Sequence, residues 1–173
     1  MTRTAHCSCG ALRVEVSADP DVVGVCHCGE CQRQTGSVFG VVAFFKKERV
    51  RTDGPSKIYV RDGQRGRKVR MHFCPTCGTT VFWEADLRPD HVGIAVGAFN
   101  DANFPPPVLS IYEESKHGWV AFAHNLPHFA TRPTEPLRRF WQAEDQNELP
   151  MSRQKASRCV VGIDHEIRSR SSR

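Results

Sequence analysis

Seven of the eight cysteines in this chain fall into tight groups, and their spacing points to metal chemistry. Cys26, Cys28 and Cys31 sit together in VCHCGECQRQTG (25–36). Cys7 and Cys9 stand at i and i+2, on one face of an extended strand. Cys74-Pro75-Thr76-Cys77-Gly78 reads as a knuckle, two thiolates on a tight turn followed by a glycine that can take a positive φ, as can Gly10 after Cys9. Cysteines one or two residues apart are poorly placed to bridge each other and well placed to share an ion. Disulfide frameworks belong to small secreted chains, and no βαβ pattern surrounds Cys74 and Cys77 to suggest a redox dithiol.

The two outer pairs make a four-cysteine set, the closed geometry of structural zinc. Closing the loop from Cys9 to Cys74 costs roughly 3–4 kcal/mol of chain entropy, against the order of 10–16 kcal/mol that structural zinc contributes. The staple outweighs its loop.

Three thiolates at Cys26, Cys28 and Cys31 leave a tetrahedron incomplete. Cys26 and Cys28 share a strand face, Cys31 turns back after Gly29, and His27 should point the other way, hydrogen-bonded on the sheet surface. Cys159 lies far off in a polar tail. The cluster is therefore either a catalytic zinc with an open position, or a second structural zinc completed by a His or Asp. An open zinc with three thiolates has net charge −1 and is a modest generator of hydroxide. It would still ionise an entering thiol, because a metal-bound thiol is deprotonated outright. Such a site suits a thiol substrate or a sulfur-bearing adduct better than hydrolysis.

The elements that must position these cysteines are mostly strands. ALRVEVS (11–17) alternates, exposing Arg13 and Glu15 and burying Leu12, Val14 and Val16. VFGVVAFF (38–45), KIYV (57–60), KVRMHF (68–73), TTVFWE (79–84), HVGIAV (91–96) and VLSIY (108–112) follow, separated by Gly and Pro turns. The pattern predicts a mainly β fold of antiparallel sheets with short helical pieces at 29–36 and 114–119. A further helix is expected within 135–148, starting at Pro136, and after Pro150 a Ser/Arg-rich mobile tail. The domain is thus 1–134, and 135–173 an extension.

At 173 residues and 19.5 kDa the chain suits one domain with a real core. MTRTAHCSCG lacks the apolar run of a signal peptide, and no stretch reaches a membrane span of ~18 apolar residues, so a cytoplasmic protein is expected. Of the net charge of +5, residues 131–173 carry +3, which leaves the folded part too weakly basic to track nucleic acid. RDGQRGRKVR (61–70) is locally basic, and a solvated turn is the simpler reading of it.

HCSCGALRVEV (6–16), CHCGECQRQTGSVFG (26–40) and FCPTCGTTVF (73–82) closely resemble the glutathione-dependent formaldehyde-activating family, which includes centromere protein V. VGIAVGAFND (92–101) and WVAFAHNLPHF (119–129) resemble its later elements, so the likeness spans about residues 5–130. It implies a zinc-stapled β-tent, with Cys7, Cys9, Cys74 and Cys77 on a structural zinc and Cys26, Cys28 and Cys31 on a catalytic one. It also implies formation or cleavage of S-(hydroxymethyl)glutathione, a carbon–sulfur lyase reaction, with glutathione or a similar thiol and a small aldehyde as partners. AHN before LPHF departs from the acidic residue of many relatives. A homodimer is left open.

Arg33 and Ser37, just past the cluster, are candidate substrate contacts, since a tripeptide with two carboxylates needs a nearby cation. The other reading is a surface helix end. Phe39, Phe44, Phe45, Phe73, Phe82 and Trp83 are expected in the core, and Trp119 and Phe129 either wall a pocket or close the sheet. A non-enzymatic zinc module, binding a partner through its sheet or a nucleic acid through 61–70 and the tail, is the alternative function.

Overall fold

The computed structural model describes residues 2–63 and 66–133. Among the described residues ten strands form two sheets, with one α-helix: β1 (Arg3–His6), β2 (Arg13–Val16), β3 (Val22–Cys26), α1 (Gly29–Thr35), β4 (Gly40–Lys46), β5 (Val50–Asp53), β6 (Lys57–Asp62), β7 (Lys68–Phe73), β8 (Thr80–Ala85), β9 (Arg88–Ala95) and β10 (Leu109–Ile111). The small sheet has the order β1-β2-β5 and the large one β10-β3-β4-β9-β8-β7-β6. This is the mainly β, antiparallel architecture expected, with one difference. β10 runs parallel to β3, pairing Leu109 with Gly24 and Ile111 with Cys26.

The alternation in β2 sets the inner face of the small sheet: Val14 and Val16 are fully buried while Arg13 and Glu15 face water. With Ala5, Cys7 and Leu12 they pack against Val23, Ala43, Phe45, Val81, Phe82, Val92 and Ile94 of the large sheet, capped by Phe99 and Phe104. β3, between β10 and β4, is buried along its whole length. Short irregular pieces complete the frame, including a 3-10 turn at Glu113–Ser115 where a single helical turn was expected. The helix expected at 135–148, the tail and Cys159 lie outside the described residues.

The turn between β5 and β6 is held against the chain that precedes β2. Gly54 has φ 89°, and a Cβ there would lie 1.8 Å from the Ala11 carbonyl oxygen. That obstacle is backbone, which cannot rotate away. Gly54→Ala should therefore lower stability by about 3 kcal/mol or more, combining left-handed strain with overpacking, and a urea unfolding midpoint would measure it.

Candidate metal centre

The outer cysteines come together as two knuckles meeting at the junction of the sheets. In the first, the Gly10 amide donates to the Cys7 carbonyl (2.9 Å), and in the second the Gly78 amide donates to that of Cys74 (2.9 Å). Both glycines take positive φ, 76° and 75°. The knuckles are tied by Ser8 Oγ and Thr79 Oγ1 at 2.9 Å. The Leu12 amide donates to Cys7 Sγ at 3.2 Å. Hydrogen bonding by Thr79, whose hydroxyl is 3.3 Å from Cys77 Sγ, pulls the Cys77 thiol down to about 5. Cys7 and Cys74 are fully buried and Cys9 and Cys77 exposed, so the cluster pins the core to the surface.

Sulfur spacing tests whether these groups suit an ion. Cys7 and Cys9 Sγ are 3.5 Å apart, Cys9 and Cys74 Sγ 3.6 Å, and Cys26 and Cys28 Sγ 3.4 Å. A disulfide needs about 2.05 Å, whereas a tetrahedron with metal–sulfur bonds of about 2.3 Å has edges of about 3.8 Å. All sulfurs within each cluster lie within 4.8 Å of one another. The two clusters can hold metal ions, and their all-thiolate donor sets are compatible with zinc.

The three-cysteine cluster is built by a strand end and a helix start. Cys26 closes β3, Cys28 is the residue that caps α1, and Cys31 lies in its first turn, whose Gln32 amide donates to the Cys28 carbonyl at 3.1 Å. Among the described residues no His, Asp or Glu joins it as a fourth ligand. Hydrogen bonds from Cys26 and then Cys31 push Cys28 down to about 2, while Cys28 drives Cys26 up to about 12 and its two neighbours raise Cys31.

A cavity of about 630 Å³ separates this cluster from the first. Cys26 and Cys31 line it together with Cys7 and Ser8, while Gln34, Thr35, Thr79 and Thr80 add polar groups and Trp83 an aromatic one. Trp83 was expected in the core and instead faces this space, while Phe45 and Phe82 are core as expected. Arg33 and Ser37 flank Gln34 and Thr35 without lining the cavity, and Arg33 pairs with Glu30 at 2.6 Å. Trp119 is 74% exposed and neither walls the cavity nor closes the sheet.

His27 departs furthest from expectation. It is fully buried, its ring is edge-on to Phe39 (5.8 Å) and Phe122 (6.1 Å), and neither ring nitrogen has a hydrogen-bond partner. Burial lowers its pKa, so it sits there neutral. The strand reading treated its outer face as solvent. The segment after β10 covers it, and nothing local in the sequence announces that cover.

The family-model description "Glutathione-dependent formaldehyde-activating enzyme" matches residues 2–115, which include all seven clustered cysteines. The chain belongs to this family. A relative from Penicillium rubens, named a putative glutathione-dependent formaldehyde-activating enzyme, is 29% identical over 89 residues. That match covers 50% of this chain and 44% of the relative, so the chain spans under half the length of the curated relative it matches. A solved Rhodobacter sphaeroides protein matches at 25% identity with a TM-score of 0.45, over 58% of this chain and 90% of that one. No described helix is long and apolar enough to cross a membrane.

Beside the family's cysteines lies a polar network that the sequence did not disclose. Glu113 accepts from Ser110 Oγ at 2.5 Å and faces His128 Nδ1 at 2.6 Å and Lys116 Nζ at 3.5 Å. Burial would raise the Glu113 pKa, but the Ser110 and His128 hydrogen bonds and the Lys116 charge outweigh it, and the net shift is downward. A lowered folded pKa means stability that is present above the unfolded value of about 4.3 and is lost as pH falls through the folded one. Wild type and Glu113→Gln should therefore differ most near neutral pH, with the gap in urea midpoint closing as pH drops below about 4.

Proposed function

We propose that the three-cysteine cluster holds a zinc ion with one position open to the cavity, and that the protein joins and cleaves a thiol and a small aldehyde there. The adduct of the family's name is S-(hydroxymethyl)glutathione, which makes the reaction one of carbon–sulfur lyase type. What carries this reading is a single arrangement: three thiols, no fourth side-chain ligand among the described residues, and two of the three facing a cavity. Cys7, Cys9, Cys74 and Cys77 would hold a second, structural zinc, giving two per chain.

When bound at the open cluster, zinc would favour the thiolate form of an entering thiol. The bond that forms is between the substrate sulfur and the aldehyde carbon, and the thiol proton ends on the former carbonyl oxygen. The chain's part is to orient the two reactants and to bind that oxygen. Thr80 would supply a hydroxyl here, since those of Ser8 and Thr79 are paired at 2.9 Å and that of Thr35 donates to the Cys31 carbonyl at 2.8 Å. Arg33 and Ser37, next in sequence to the lining residues Gln34 and Thr35, would meet a glutathione carboxylate and an amide, Arg33 exchanging its pairing with Glu30 for the substrate. The domain doing this work is 1–134, acting in the cytoplasm, with nucleic acid no part of the reaction.

The adduct forms without a catalyst, so the test must measure rate. Exchange NMR with labelled formaldehyde and glutathione should show interconversion faster with zinc-loaded protein than without it. Chelator-stripped protein should return to the background rate. A zinc-loaded, folded protein that accelerates exchange with neither glutathione nor any other small thiol would overturn the proposal.

A further inference from the structure

The three-cysteine loop carries its own brace. Gln32 follows the third ligand directly, and its Nε2 donates to two carbonyls at once: that of His27, between the first two ligands, at 2.7 Å, and that of Ser115 at 3.0 Å. Both amide hydrogens are thereby used. The other end, Oε1, faces His117 Nε2 at 3.4 Å. The His27 amide in turn donates to the Ile111 carbonyl at 3.0 Å, so both backbone polar groups of the residue between Cys26 and Cys28 are held from one side.

We propose that Gln32 is the positioning residue of the three-cysteine centre, closing the 26–31 loop on itself and fastening it to the 111–117 segment so that the three sulfurs are held at metal-binding spacing. This rests on the reading of that cluster as a metal centre. A site with only three protein ligands needs such a brace more than the four-cysteine site does. The latter is cross-tied by Ser8 and Thr79, and its two knuckles are anchored in two different strands' ends. The loop at 26–31 has no second knuckle, and the His27 ring offers no hydrogen bond of its own. Partners that orient metal ligands typically change metal affinity by about 10–100-fold.

The side-chain chemistry makes the role separable from simple packing. Gln32→Glu keeps the shape but turns the double donor into an acceptor facing two carbonyls. Gln32→Met keeps the length and removes the hydrogen bonds without adding charge. The experiment loads full-length wild type and both variants with zinc, then follows metal release to a chromophoric chelator. Cobalt-substituted samples are recorded in parallel for their thiolate charge-transfer and ligand-field bands, with circular dichroism as the check of fold. Both variants should lose one of two metals roughly 10-fold or more faster, Gln32→Glu faster than Gln32→Met. The slow metal should be unchanged, and the cobalt bands altered for the fast site alone. Release and spectra like those of wild type would overturn the brace while leaving the metal centre standing. Equal acceleration at both sites, or loss of the fold, would make Gln32 a general structural residue and equally overturn it. A wild type that binds one metal only would remove the centre itself, and the brace with it.

Discussion

Cys74→Ser should leave a chain with no cooperative fold. The four-cysteine cluster joins the loop between β1 and β2 to the turn between β7 and β8, and two of its sulfurs lie in the core itself. A structural zinc contributes on the order of 10–16 kcal/mol, which matches or exceeds the whole stability of an ordinary domain, about 5–15 kcal/mol. Serine breaks the set at its buried end: of the three thiols left two are exposed, the ion is held far more weakly, and the three-stranded sheet then depends on its apolar face. That face is small: β1, β2 and β5 have four residues each. The expected result is a broad, non-cooperative thermal transition and collapsed amide dispersion in an NMR spectrum. A sharp transition within a few degrees of wild type would show that the sheets hold without the staple.

The contrast between the two clusters explains what could be read from the chain alone. Ligand spacing is local, so C-x-C, C-x-x-C and the glycines after Cys9 and Cys77 disclosed both groups before any fold was known. The β2 alternation likewise disclosed which of Leu12 to Val16 face inward, since a period of two is written in adjacent residues. β7 was legible to its ends for the same reason. Non-local facts were not legible. Trp83 carries an apolar side chain that suits a core or a cavity wall equally, and only the cavity it shares with Cys7, Ser8, Gln34 and Thr35, residues distant in sequence, decides between them. His27 looks like a surface residue until the parallel β10 and Phe122 cover it. Parallel pairing of β10 depends on where the chain after Phe99 returns, and three residues of strand carry too little pattern to tell.

Cys28→Ser should abolish turnover and leave the fold standing, the reverse of Cys74→Ser. Cys28 is half-exposed at the start of α1 and is no part of the apolar core, whereas Cys26 is 8% exposed and closes a core strand. Serine removes one of the three sulfur ligands, because a hydroxyl does not ionise in the thiol's place. The remaining pair, Cys26 and Cys31, would be a two-ligand site, too weak to hold an ion against a chelator. Metal content should fall from two ions per chain to one. Loss of the electrostatic contribution of a metal, several kcal/mol, corresponds to a fall of roughly 10³-fold or more in rate above background. Elemental analysis, a thermal melt and the formaldehyde exchange rate on one sample decide the matter. One ion, a native melt and no acceleration agree with an open catalytic centre. One ion with full acceleration would move the chemistry to another part of the cavity, and a variant that cannot fold would make the second cluster a staple like the first.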